Sequence, residues 1–180
     1  MANLVDIPNE ILEAIKNELS YASLLALRTT CSSFFRHDRV NLPDRQYTIH
    51  DLLEIETWSK YHPARDRPLG SQQPSADDYF ACSLCLKIKN SDNFSDNMMK
   101  GSKGKFANGA SVTKHTRFCI ACGIDRARYG PGTKFFYGGG KRFHGLVCSV
   151  CHKFEGVKVE DTRHRVELGN RNSTSKCSSC

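Results

Sequence analysis

The stretch Tyr79-Phe80-Ala81-Cys82-Ser83-Leu84-Cys85-Leu86-Lys87-Ile88 sets two cysteines three positions apart between short apolar runs, and the same spacing recurs at Cys119/Cys122, Cys148/Cys151 and Cys177/Cys180. All but one of the chain's 9 cysteines fall in these pairs. A Cys-x-x-Cys turn places two sulfurs on one edge of a tetrahedron, and a second pair must close the opposite edge at metal–sulfur distances of about 2.3 Å. Four pairs suit two tetracysteine sites, so Cys82, Cys85, Cys119, Cys122, Cys148, Cys151, Cys177 and Cys180 are the expected ligands and two Zn2+ ions the expected cofactors. Between consecutive pairs lie 33, 25 and 25 residues. A sequential scheme joins the first pair with the second and the third with the fourth; a cross-braced scheme joins first with third and second with fourth. Gly123 after Cys122 suits a tight knuckle, with a short helix starting in Ile124 to Tyr129 beneath it, which leans toward the sequential scheme without closing the question. Cys177 and Cys180 are the least secure ligands, because chain ends fray.

Metal also accounts for how this half folds. Lys100-Gly-Ser-Lys-Gly-Lys105 and Ala107-Asn-Gly-Ala-Ser-Val-Thr-Lys114 carry little apolar surface. Structural zinc supplies roughly 10–16 kcal/mol of apparent free energy per site in small peptides, more than many whole domains possess. The expected fold class is therefore a small, metal-stabilised α+β chain. Thr133 to Tyr137 and Arg142 to Val147 flank Gly138-Gly-Gly140 and read as a β-hairpin that delivers Cys148 at a strand end. Lys158 to Leu168 alternates like a further strand. His115, His144 and His152 lie near cysteine pairs and read as solvent or neighbouring groups rather than ligands. Cys31, outside the pairs, reads as a small buried apolar residue.

The chain divides into three segments: residues 1–40, helical; 41–80, a connector with one helix at about 48–61 and a linker; and 81–180, the cysteine module. Ile7, Ile11, Leu12, Ile15 and Leu19 form a helical stripe, with Pro8 expected in the first turn and Asp6 and Glu10 at its positive end. Ser20 or Ser23 can cap a second helix carrying Leu24, Leu25 and Leu27, and a third would carry Cys31, Phe34 and Phe35. Helices this short bury little surface alone and need something to pack on. Thr48 followed by Asp51 marks the connector helix, and Trp58 reads as packing.

Leu4-Val-Asp-Ile-Pro-Asn-Glu-Ile-Leu12, Ile15, Leu19, Leu24, Leu25, Leu27 and Thr30-Cys-Ser-Ser-Phe34 together resemble the F-box, with Ile7 where the family pattern has Leu. Asp51 to Glu56, Tyr79 to Ile88, Phe94-Ser95, Met98 to Gly101, Arg117 to Gly123 and Tyr129 to Thr133 resemble fungal proteins described as F-box-containing. The resemblance implies a three-helix motif that binds the Skp-type linker of cullin-based (SCF) ubiquitin ligases, with Pro8, Ile11, Leu12, Ile15, Leu24 and Leu25 in the contact. It implies a non-enzymatic substrate adaptor whose zinc module recognises a protein, and it supplies no catalytic residue. Phe135, Phe136, Tyr137 and Phe143 are candidates for that recognition surface or for hairpin core.

The net charge of +7 is unevenly spread: residues 1–80 hold 8 Lys and Arg against 12 Asp and Glu, and residues 81–180 hold 18 against 7. Each zinc tetrathiolate carries −2, so part of the second half's basicity offsets thiolate charge. The remainder supports an alternative, a nucleic-acid-binding module using Lys100, Lys103, Lys105, Lys114 and Arg117. The wide gap between the second and third pairs argues against a RING-type ligase, and four similar pairs argue against thioredoxin-like redox chemistry. No apolar run reaches membrane-spanning length and no secretory leader is visible, so an intracellular location, cytoplasmic or nuclear, is expected.

Overall fold

The N-terminal apolar stripe forms two helices, α1 (Asn9–Glu18) and α2 (Tyr21–Thr30). Pro8 stands at the cap of α1 in an extended conformation rather than in its first turn, and its carbonyl accepts the Leu12 N–H at 3.0 Å. Leu12 and Leu24 bury against Phe34 and Val40, with Ile7, Leu19, Leu27 and Leu42 packed around them. The stripe is thus only partly a core face, because Ile11 and Ile15 point outward. Of the two candidate caps it is Ser20 that acts, its hydroxyl accepting the Ser23 N–H at 3.1 Å.

The computed structural model describes residues 7–30, 34, 40, 42, 47–61, 74–105, 107, 112–140, 143–157 and 176–180. The third helix of the expected motif, apart from the buried Phe34, lies outside them, as do Cys31, residues 65–73 of the linker and the strand expected at 158–168.

The connector helix α3 (Ile49–Ile55) starts in a capping box, with Thr48 and Asp51 satisfying each other's backbone N–H groups. It ends earlier than the expected residue 61. The Thr57 hydroxyl donates to the Glu54 carbonyl at 2.7 Å, and the chain tightens into three-residue turns through Tyr61. Such side-chain bonds compete with helix continuation. Ala22 of α2, Leu52 and Ile55 of α3 and Ala81 form one buried cluster, so α3 bridges the helical pair to the first sheet. Trp58 packs at its margin.

That sheet consists of β1 (Tyr79–Cys82) and β2 (Lys87–Asn90), an antiparallel pair with Cys82 opposite Lys87. A four-residue helix, α4 (Asp96–Met99), and then α5 (Ile120–Asp125) come after it. Phe80, Cys82, Phe94, Met98, Met99, Phe118 and Cys119 form the core between these elements. The helix beneath the second cysteine pair begins at Ile120, not in the 124–129 stretch, and it contains Cys122. Gly123 accordingly sits inside a helix. Its lack of a side chain serves packing: a Cβ there would stand 2.5 Å from the Tyr129 ring and 2.9 Å from that of Phe118.

The second sheet holds β3 (Lys134–Tyr137), β4 (Phe143–Val147) and β5 (Phe154–Val157) in antiparallel order. The glycine cluster makes the expected hairpin turn, with φ of +86°, +55° and +96° at Gly138, Gly139 and Gly140, and it also lets the chain at Pro74 and Ser75 pass close by. Strand β5 has no sequence signal of its own, since Phe154-Glu-Gly-Val is short and interrupted by Gly156. It forms because Tyr137 and Phe154 meet edge to face, with the Tyr137 hydroxyl lying where a Cβ of Gly156 would be. Aromatic contacts run from Phe118 through Tyr129, Phe135 and Phe154 to Tyr137, joining the first core to the second sheet. No helix among the described residues is long and apolar enough to cross a membrane.

Candidate metal centres

Strand β1 ends on Cys82, and the turn after it presents Cys85. Cys119 precedes α5 and Cys122 lies in its first turn. These four sulfurs converge to within 4.8 Å of one another. Cys148 comes directly after β4, Cys151 lies in the β4–β5 turn, and they converge in the same way with Cys177 and Cys180. The geometry brings the pairs together sequentially. Both groups consist of cysteine alone; His115 stacks on His50, His144 lies against Phe136 and His152 is exposed.

The donor sets fit a tetrahedral metal. Sulfurs about 2.3 Å from a common ion stand about 3.8 Å apart. The Cys151 and Cys177 sulfurs are 3.5 Å apart, far beyond the roughly 2.05 Å of a disulfide, and all eight cysteines are free thiols. Backbone N–H groups point at the sulfurs as they do around thiolate ligands: Cys119 N–H donates to Cys82 Sγ at 3.3 Å, Cys177 N–H to Cys148 Sγ at 3.3 Å and Val150 N–H to the same sulfur at 3.4 Å. Such outer partners orient ligands and tune the ion.

The acidities of the thiols carry the same message. The Cys119 thiol, against burial and helped by the backbone N–H groups of Cys85, Cys119 and Leu84, lowers Cys82 to about 4. Burial and then the adjacent Cys82 push Cys85 up to about 11, and Cys119 is raised mainly by its hydrogen bond to Cys82. In the second group the backbone N–H of Cys151 leads in lowering Cys148 to about 6, while hydrogen bonding to Cys177 pushes Cys180 up to about 12. Each cluster by itself favours one thiolate and suppresses others. A cation bound among these sulfurs would let Cys85, Cys119 and Cys180 ionise as well.

Two side-chain groups unsuspected from the sequence surround the first cluster. Lys89 donates to Cys119 Sγ at 3.4 Å; burial works against its ammonium, yet the sulfurs of Cys119, Cys85 and Cys122 hold its pKa above the ordinary lysine value. Glu56, just past α3, accepts from Ala81 N–H with one oxygen at 2.6 Å and from Arg117 Nη2 with the other at 2.8 Å. Ala81 adjoins Cys82 and Arg117 lies two residues before Cys119, so one buried carboxylate holds both halves of the site together. Among the described residues Nε and Nη1 of Arg117 have no hydrogen-bond partner, and the guanidinium lies over the Phe80 ring at 5.0 Å. The only signal in the sequence is Arg117 beside a cysteine pair; its partner is 61 residues away.

The remaining predicted residues occupy several different environments. Pro8, Ile11 and Ile15 are exposed along one side of α1, Ile11 by 54% and Ile15 by 37%; Leu12 and Leu24 are buried, and Leu25 is half-buried toward α3. Of the four aromatics, only Phe136 faces outward, at 50% exposure. The five basic residues do not form an exposed stripe. Arg117 and Lys105 are buried, Lys105 donating to the Tyr61 carbonyl; Lys114 donates to the Lys105 carbonyl; Lys103 reaches Met98 Sδ; and Lys100 pairs with Asp96.

No family model, no curated protein and no solved structure matches this chain.

Proposed function

We propose that the chain is a non-enzymatic adaptor in which both tetracysteine clusters hold zinc and the N-terminal helices dock on a Skp-type linker protein, leaving the zinc-stapled remainder to recognise a protein substrate. The observation that carries the docking half is the apolar edge Pro8–Ile11–Ile15, spaced along one side of α1 and not used in the core beneath it. Exposed apolar side chains in a row mark surfaces that meet a partner, and these three belong to the F-box-like pattern. For the recognition half, a cleft of about 380 Å³ opens between α2, α3 and β2, lined in part by Tyr21, Leu25, Tyr47, Tyr61 and Lys87. Zinc is preferred over other metals because an all-thiolate tetrahedron matches its usual structural sites.

The test is co-purification of the zinc-loaded chain with a Skp-type linker, comparing Ile11→Asp and Ile15→Asp with the parent. Each substitution is expected to weaken binding at least about tenfold, since a charge at a desolvated interface lacks a partner there, while leaving circular dichroism unchanged. Leu24→Asp would mislead, because Leu24 is core and its loss unfolds the helices. A well-folded parent that binds no such linker defeats the docking half of this reading.

A further inference from the structure

We infer that the two tetracysteine clusters differ in kind: the first is a permanent structural site, and the second is an exchangeable one that yields its ion first and then lets go of residues 176–180 while the rest of the described fold stands. This rests on the reading above that both clusters hold zinc.

The two halves of the first site are joined by far more than metal. Cys82 and Cys119 are fully buried among Phe80, Phe94, Met99 and Phe118. Ser83 N–H donates to the Arg117 carbonyl at 2.8 Å, and Glu56 binds the segments before both cysteine pairs. A chelator must disturb an apolar core to reach these two sulfurs; Cys85 and Cys122 are half-buried, as Cys151 and Cys177 are, and of the second site's sulfurs only that of Cys148 is buried as deeply. The halves of the second site have no such connection among the described residues. Cys148 and Cys151 are held by the β4–β5 hairpin, whose strand β4 is also paired along its other edge to β3. The segment carrying Cys177 and Cys180 meets that hairpin through Cys177 N–H to Cys148 Sγ, and through Ser178, whose backbone N–H and hydroxyl donate to Glu155 at 3.0 and 2.6 Å. Cys180 is exposed, so one ligand sulfur is open to water and to competing ligands.

Charge works in the same direction. A zinc tetrathiolate carries −2. Lys89 brings a cation onto a sulfur of the first site, whereas the side chain that ties down the ligand segment of the second is the carboxylate of Glu155. Changes in such outer groups alter metal affinity by about 10–100-fold. The second cluster therefore binds Zn2+ as a ligand whose occupancy tracks the free concentration, and that occupancy decides whether residues 176–180 stay docked on Glu155 of the hairpin.

The full chain, loaded with zinc, would be challenged with a chromogenic pyridylazo chelator while native mass spectrometry counts bound ions and N-ethylmaleimide maps freed thiols. We expect one ion to leave roughly 10–100-fold faster than the other, with Cys151, Cys177 and Cys180 labelled before Cys82, Cys85, Cys119 and Cys122, and with circular dichroism nearly unchanged during that first release. Cys180→Ser should hold the slow ion normally and have lost the fast one. Simultaneous release of both ions, labelling of the first cluster ahead of the second, or collapse of the dichroism with the first ion would overturn the inference and leave the adaptor reading standing. A chain that takes up no zinc overturns both.

Discussion

The β1–β2 and β4–β5 hairpins are built alike. Each carries Cys-Ser-aliphatic-Cys in its turn, Cys82-Ser-Leu-Cys85 in one and Cys148-Ser-Val-Cys151 in the other. The residue after the second cysteine takes a left-handed conformation in both, with φ of +49° at Leu86 and +57° at His152. The aliphatic side chain at the turn, Leu84 or Val150, is exposed in both. The difference lies in the partner pair. In the first, Cys119 and Cys122 arrive on a helix set in an apolar core, and the buried carboxylate of Glu56 joins the two halves. In the second, the other pair arrives on a short segment with polar surface contacts. The motif itself is buried alike in both, with Cys82 and Cys148 fully buried and Cys85 and Cys151 half-buried, so what the partner pair brings makes the difference.

The comparison breaks most decisively under loss of metal at the first site. Cys82→Ser should remove most of the roughly 10–16 kcal/mol that a structural zinc contributes and unfold residues 79–129, seen as loss of dispersed amide resonances in that region. Acid acts in the same sense, because each thiolate must take up a proton to leave the ion. A Cys82→Ser chain with an intact spectrum would show that the apolar core, not the metal, holds this unit.

Next in size is the buried ion pair. Glu56→Ala strands the Arg117 guanidinium without its counter-charge and should cost about 3–5 kcal/mol, read as a lowered urea midpoint. Glu56→Leu combined with Arg117→Met removes both charges and should recover a large part of that loss, since a buried pair exchanged for apolar groups is often close to neutral. If the double variant is as unstable as Glu56→Ala, the carboxylate matters through its bond to Ala81 N–H rather than through Arg117.

The smallest effect contrasts the two charged neighbours. Lys89→Met should weaken zinc at the first site by about 10–100-fold, or about 1.4–2.8 kcal/mol, with little change in fold. Glu155→Gln removes an anion and leaves one acceptor oxygen for the Ser178 N–H, with the Ser178 hydroxyl able to turn and accept from the new amide, so it should tighten the second site slightly. Zinc competition titrations on both variants measure this, and equal affinities before and after would remove the electrostatic part of the contrast.

Much of this architecture is legible in the chain itself. Thr48 and Asp51 announce their capping box because the bond spans three residues. The Thr133–Val147 hairpin is visible because aromatics flank three glycines, and a turn needs positive φ at just such positions. Misreadings arise where a distant contact overrides a local cue. Gly123 reads as a knuckle residue but is a helical one cleared for the Tyr129 ring. Lys105, Lys114 and Arg117 read as a basic footprint but bond inward, and β5 depends on an aromatic from another strand.

The eight cysteines as two sets of four, and the turns that carry them, emerge from sequence alone, because a Cys-x-x-Cys knuckle is closed by neighbours along the chain. Which pairs share a site, which site is buried, and which carboxylate clamps it are decided by tertiary structure. Those choices join residues dozens of positions apart, and local spacing has no means of expressing the packing and desolvation that select them.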